Sequence, residues 1–163
     1  MSAGSLWEAL DTALIAAFDA GMGEDSSYEE LQIVAAEVGD TWEPDASAKP
    51  ALLLISNAAT LSQTTHGAGA PIDAALAYMA VAYAEAGTHS EAKIAAQTLH
   101  ARMLDVLRTW PAIVAAAHAE APSGQAYRMR LQRSLLEVRG RQGANRGRRL
   151  GIAVIRFDID TTT

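Results

Sequence analysis

The sequence predicts an α+β fold, a mostly antiparallel sheet with helices packed on one face as an α/β sandwich. Leu6, Leu10, Leu14 and Phe18 recur every four residues near the start. Ala95, Leu99, Met103, Val106 and Trp110 repeat helical spacing later in the chain. Between and after these stripes lie short apolar segments, unbroken or alternating and bounded by proline and glycine, as strands require.

The first helix is expected from Ser5. Ser5 and Glu8 have the S-x-x-E form of a capping box, Ala13 and Ala17 widen the apolar stripe, and Gly21 marks the stop. The apolar stretch is interrupted by Glu8, Asp11 and Asp19 and has no basic segment before it, so it reads as an amphipathic helix and not as a signal peptide. A second helix is expected from about Ser27, with Leu31, Val34, Ala35 and Val38 inward. Residues 39–50, with Gly39, Pro44 and Pro50, read as a loop.

"ALLLIS", residues 51–56, follows Pro50 directly and predicts a central strand. Residues 72–87 fit a helix by their alanines and a strand by the period of Ile72, Ala74, Leu76, Tyr78 and Ala80. We read them as a strand pairing back on 51–65. Thr88 and Glu91 form a second capping box, ahead of the helix that carries Leu99. Pro111 ends or kinks that helix, and "AIVAAAHAEA" continues as a short helical piece up to Pro122. Residues 127–160 read as a long antiparallel hairpin around the turn "GANRG", with Ala153, Ile155, Phe157 and Ile159 on one face of the last strand. At 163 residues the chain, 1–163, is expected to be one domain.

Composition excludes several chemistries. The chain has no cysteine, which removes disulfides, thiolate zinc sites and cysteine nucleophiles. Gly140, Gly143, Gly147 and Gly151 match neither a Walker loop nor a dinucleotide loop, and they read as glycines of a turn and its arms. His66, His89, His100 and His118 share no i, i+4 pair and read as solvated or locally hydrogen-bonded. Ser56, Ser62 and Ser134 lack a nucleophile elbow. No catalytic, cofactor-binding or metal-binding residue is expected, and the chain reads as soluble, with no segment long and apolar enough to span a bilayer.

The remaining signal is charge. Residues 128–163 hold nine arginines against Glu137, Asp158 and Asp160, a balance of +6; residues 1–127 hold four basic and sixteen acidic side chains, a balance of −12. Five arginines, Arg139, Arg141, Arg146, Arg148 and Arg149, crowd into residues 139–149, and eight carboxylates, Glu29, Glu30 and Glu37 among them, crowd into residues 24–45. Arginine favours planar carboxylate or phosphate partners. A net charge of −6 and the lack of aromatics between 128 and 156 weaken direct nucleic-acid recognition, so an interface between copies or a lumen is the favoured reading for these arginines and for Glu29, Glu30 and Glu37. A solvated loop and a small nucleic-acid-binding module are the competing ones.

The order "LWEALDTALIAAF", "KPALLLIS", "IDAALAYMAVAYAEAG", "SEAKIAAQTLHARMLDVLRTW" and "GIAVIRFDIDTTT" resembles the tail terminator (tail-completion) proteins of long-tailed bacteriophages, prophages and gene-transfer agents. The likeness is one of layout through most of the chain, and "PAIVAAAHAEAPSGQA" departs from the compact pattern. It implies a non-enzymatic ring, usually hexameric, at the head–tail junction of a virion assembled in the host cytoplasm. The implied partners are further copies of the chain, the tail tube protein and a head–tail connector protein. DNA would only pass through the lumen, and no membrane is implied. The resemblance leaves a connector, neck or minor tail protein as the alternative. The purified chain is therefore expected to show no hydrolase, transferase or redox turnover in activity screens. A turnover abolished by one point substitution would contradict this.

Overall fold

The computed structural model describes residues 3–22, 30–33, 51–62, 71–140 and 147–163. In chain order these form α1 (Ala3–Met22), β1 (Glu30–Ile33), β2 (Ala51–Ser62), β3 (Asp73–Ala86), α2 (His89–Arg108), α3 (Trp110–Glu120), β4 (Gln125–Gly140) and β5 (Arg149–Thr162). The strands make one sheet of order β1-β2-β3-β5-β4, antiparallel throughout except for the parallel β1–β2 pair. The α+β class expected from the sequence is the class observed, and residues 73–86 are a strand paired with β2.

Pleat parity shows where the helices lie. Successive strand residues point to opposite faces. The main core gathers Ala74, Leu76, Tyr78, Ala80, Ala82 and Ala84 of β3 and Ala153, Ile155, Phe157 and Ile159 of β5, one parity from each strand and register partners on the same face. The same core contains Leu6, Leu10, Leu14 and Phe18 of α1, Leu99 and Met103 of α2, and Ile113 and Ala117 of α3. All three helices therefore cover one face. Alanine on β3 lets them approach closely, and Gly151 on β5 is required for the same reason. A Cβ there would collide with the Ala92 backbone of α2.

A polar contact ties α1 to this face. Tyr78 stacks on Phe157, with ring centroids 5.3 Å apart, and its hydroxyl donates to Asp11 Oδ1 at 2.7 Å. Burial, then the charge of Asp11 and the hydrogen bond to it, push the Tyr78 phenol above its ordinary range.

The capping box at Thr88 and Glu91 forms as expected, each side chain accepting from the other residue's backbone N–H at 3.2 Å. The helix then breaks at Thr109, whose hydroxyl and amide both return to the Val106 carbonyl. Pro111 lies in the first turn of α3, where its missing N–H costs nothing. Trp110, placed by its spacing on the α2 stripe, opens α3 and remains packed against the core.

Two expectations at the start of the chain are corrected. Helix α1 begins at Ala3, so Ser5 lies inside its first turn and is not an N-cap. Alanine and glycine before it accept helical dihedrals without obstruction. Residues 30–33, expected inside a helix, form strand β1, because the ladder with Ala51–Leu54 satisfies their backbone and outweighs a weak helical period. The rest of that segment, the loop at 39–50 and His66 lie outside the described residues. Among the described residues, no helix is long and apolar enough to cross a membrane.

Leu99 is 1% exposed at the centre of the α2 contact with the sheet. Leu99→Ala is expected to cost about 2–5 kcal/mol, measured by chemical denaturation. An unchanged midpoint would show that this contact does not hold the layers together.

Candidate functional site

The β4–β5 hairpin forms as the sequence suggested, with Gly140 opposite Arg149 at its distal end. Gly147, at φ +100°, makes the left-handed step leading into β5. Of the arginines expected to point at a neighbour, Arg139 is held within its own strand, where its guanidinium grips Glu137 in two hydrogen bonds of 2.6 and 3.1 Å. Arg148 forms an ion pair with Glu85 of β3, whose side chain is only 3% exposed. Arg149 reaches the Arg148 carbonyl. Arg141, Arg146, Glu29 and Glu37 lie outside the described residues, while Glu30 opens β1 at the far edge of the sheet.

Register gives Glu30 a height on the sheet. Glu30, Ala51, Tyr83, Ile152 and Glu137 form one row across the five strands. With strands about 4.8 Å apart, the row runs roughly 19 Å from edge to edge. Glu30 and Arg139 therefore stand near the same end of the sheet but on opposite edges, out of reach of each other within one chain.

A denser charge cluster lies lower on the hairpin, on the face away from the helices. Asp160 accepts from Arg128 Nε at 2.6 Å, from Arg130 Nε at 3.1 Å and from Arg130 Nη2 at 3.0 Å. Asp158 accepts from Gln132 Nε2 at 2.8 Å and lies 3.5 Å from Arg130 Nη2. Arg133 and Arg156 stand opposite each other in the next register row and are both exposed. These arginines were not singled out from the sequence. In a regular strand Arg130 and Arg133 would face opposite ways. The register shift between Leu131 and Arg133 makes Gln132 an extra residue and brings Arg128, Arg130 and Arg133 onto one face. The alternation in "YRMRLQR" and "DID" was visible; the bulge that aligns them was not.

Burial alone would raise the Asp160 carboxyl, but hydrogen bonds from Arg130 and Arg128 and their charges outweigh it and leave Asp160 below the usual aspartate range. Asp11 behaves oppositely. Burial, with the charge of Glu8, raises it against the hydrogen bond from Tyr78.

Strand β4 is also an edge, and its residues 131–136 are all exposed, including Leu131, Leu135 and Leu136. A groove of about 960 Å³ opens on the helical side among α1, α2 and α3, lined mainly by small side chains such as Ala13, Ala17 and Ala20, with Arg102 and Asp105 on its wall. The hydroxyl in its lining, Thr109, donates to the Val106 carbonyl, and Asp105 is bonded to Arg108. His118 accepts the Ala126 N–H at Nε2, 3.0 Å away, a local structural bond joining α3 to β4. Among the described residues, no three His, Asp or Glu side chains are grouped to hold a metal.

No protein-family model matches the sequence, and no curated protein sequence does. The chain is similar to a chain in a solved structure, the virion of a native gene transfer agent particle, at 17% identity. The match covers 97% of this chain and 96% of that one with a TM-score of 0.34, a superposition too loose to carry function from one to the other.

Because Asp160 is depressed in the folded chain, the stability it contributes is complete above the ordinary aspartate value of about 3.9. It is lost as pH falls through the lower folded value. Asp160→Asn is expected to lower the melting temperature at pH 7, and the gap from the wild type should narrow on acidification. Comparing the two chains cancels the opposing contribution of Asp11. A gap that does not change with pH would show that the arginines do not act through the Asp160 charge.

Proposed function

We propose that this chain is a non-enzymatic structural subunit of a phage-type particle, a tail terminator that closes into a ring on the completed tail tube and presents a docking surface to the head. The observation that carries the reading is the unlikeness of the two sheet edges. One edge, β4, carries Arg128, Arg130, Arg133 and Arg139 against Glu137 alone; the other, β1, begins at Glu30 within the stretch of eight carboxylates. A twofold dimer joins identical surfaces, whereas different and complementary surfaces join head to tail, and head-to-tail contacts close into rings.

Strand direction supports the same arrangement. The ladders make β4 run opposite to β1. A copy set beside another in the sheet plane brings β4 of one against β1 of the next as antiparallel strands, the pairing that a free edge favours. Leu131, Leu135 and Leu136 would add apolar area to that contact.

The resemblance of the sequence layout to tail terminators supports a place for the ring at the junction of tail and head, with the tube protein and a connector protein as neighbours. In this reading the distal arginines, Arg141, Arg146 and Arg149 among them, meet a neighbour or line the lumen through which DNA passes. Arg148 is different, since reversing it would set a new carboxylate against the nearly buried Glu85. Substitutions that probe the tip should spare it.

Negative-stain images and sedimentation of the purified chain are expected to show discrete rings. Arg146→Glu with Arg149→Glu should reduce their number while leaving the thermal melt of the monomer intact. Strictly monomeric protein at every concentration, alone and with tail tubes, would overturn the reading.

A further inference from the structure

We propose that Arg133 and Arg156, both exposed on the face of the sheet away from the helices, form an anion clamp, and that its occupant is a carboxylate of a second copy of this chain. The inference rests on the head-to-tail reading above and assigns its ionic contact to a place other than the hairpin tip.

The two residues are register partners on β4 and β5. Directly opposed residues of an antiparallel pair have Cα atoms about 4.5–5.5 Å apart, so two guanidinium groups rise side by side from the same face. Like charges placed this way destabilise a sheet. Among the described residues, every other arginine that β4 and β5 place on this face has an acidic partner: Arg128 and Arg130 have Asp160, and Arg139 has Glu137. Arg133 and Arg156 make no hydrogen bond or ion pair among the described residues. The nearest candidate on the same face, Asp158, is two residues from Arg156 and is already taken by Gln132 and Arg130.

The bulge that gathers the arginines is also what commits Asp158. The extra residue, Gln132, supplies the amide that binds it. The fold thus carries an exposed pair of cations and binds the adjacent anion elsewhere. Two planar forks at this spacing suit a carboxylate or a phosphate bridging them.

Charge balance selects between these. The chain as a whole carries −6, and residues 1–127 carry −12, so a DNA duplex would be repelled by most of the molecule. A second copy offers the opposite, an excess of carboxylates, and the clamp sits at the basic edge that a head-to-tail neighbour would meet.

The test compares the full-length wild type with R133Q/R156Q at low ionic strength. Three quantities are read: self-association by sedimentation, melting temperature with and without inorganic phosphate, and binding of a short DNA duplex. The double variant is expected to melt at the wild-type temperature or above it, because the repulsion is gone. It should lose the rise in melting temperature that phosphate gives the wild type. Its self-association should weaken about tenfold, as for loss of an interfacial charge pair.

Unchanged self-association overturns the second copy as occupant, and equal phosphate protection in both chains overturns the clamp. A variant that melts several degrees lower overturns it as well, since the pair would then be holding the fold. Duplex binding lost in the variant with assembly intact assigns the pair to phosphodiester and overturns the second copy as occupant. A wild type that is monomeric throughout refutes the ring and the occupant together, and phosphate protection confined to the wild type would then still mark the pair as an anion site.

Discussion

Strand β5 has to satisfy two environments with one run of residues. It lies between β3 and β4, so both of its edges are hydrogen-bonded, and its pleat sends alternate side chains to opposite faces. Ala153, Ile155, Phe157 and Ile159 close the core beneath the helices, while Arg156, Asp158 and Asp160 lie on the other side. Neither set can move without the other. A one-residue slip of β5 would bury the charges under α2 and expose Phe157. The Gly151 contact with Ala92 holds the helix close above this strand, and the Tyr78–Asp11 bond holds α1.

The charged face follows from that register and from one irregularity. Without the extra residue Gln132, Arg128 and Arg130 would share parity with the core positions of the hairpin. With it they reach Asp160, and the carboxylate, nearly enclosed, is held by donors on three nitrogens. An enclosed carboxylate without these donors would be costly, so the pair of strands depends on the bulge as much as on the apolar side. The same irregularity leaves Arg133 and Arg156 together without an acidic partner among the described residues.

Edges and faces then have separate roles in the assembly reading. The helical face is occupied by the main core, the other face of the hairpin carries charge beside a second buried apolar cluster of Val81, Tyr83, Leu150 and Ile152, and the β4 edge, the last strand among the described residues, offers exposed leucines. A contact using both edge and charge would be apolar in part and salt-sensitive in part. That combination suits association in a defined register, because a backbone ladder would supply affinity while the charges reject misaligned partners.

The sequence by itself determined the helices whose apolar spacing is strong, α1 and α2, the box at Thr88 and Glu91, and the hairpin with its inward face at 153–159. These are local matters of periodicity and capping, and the residues that decide them are close in the chain. It also showed the separation of charge between the two parts of the chain. Tertiary structure alone decided that Glu30–Ile33 is a strand, since only the ladder with β2 outweighs its weak helical period. It decided that Arg148 belongs to Glu85, sixty-three positions earlier, because the β3–β5 register brings them together. And it brought Arg128, Arg130 and Arg133 onto one face of the hairpin, because a single extra residue changes which face a side chain occupies, and nothing in "RLQR" announces the backbone shift that accommodates it.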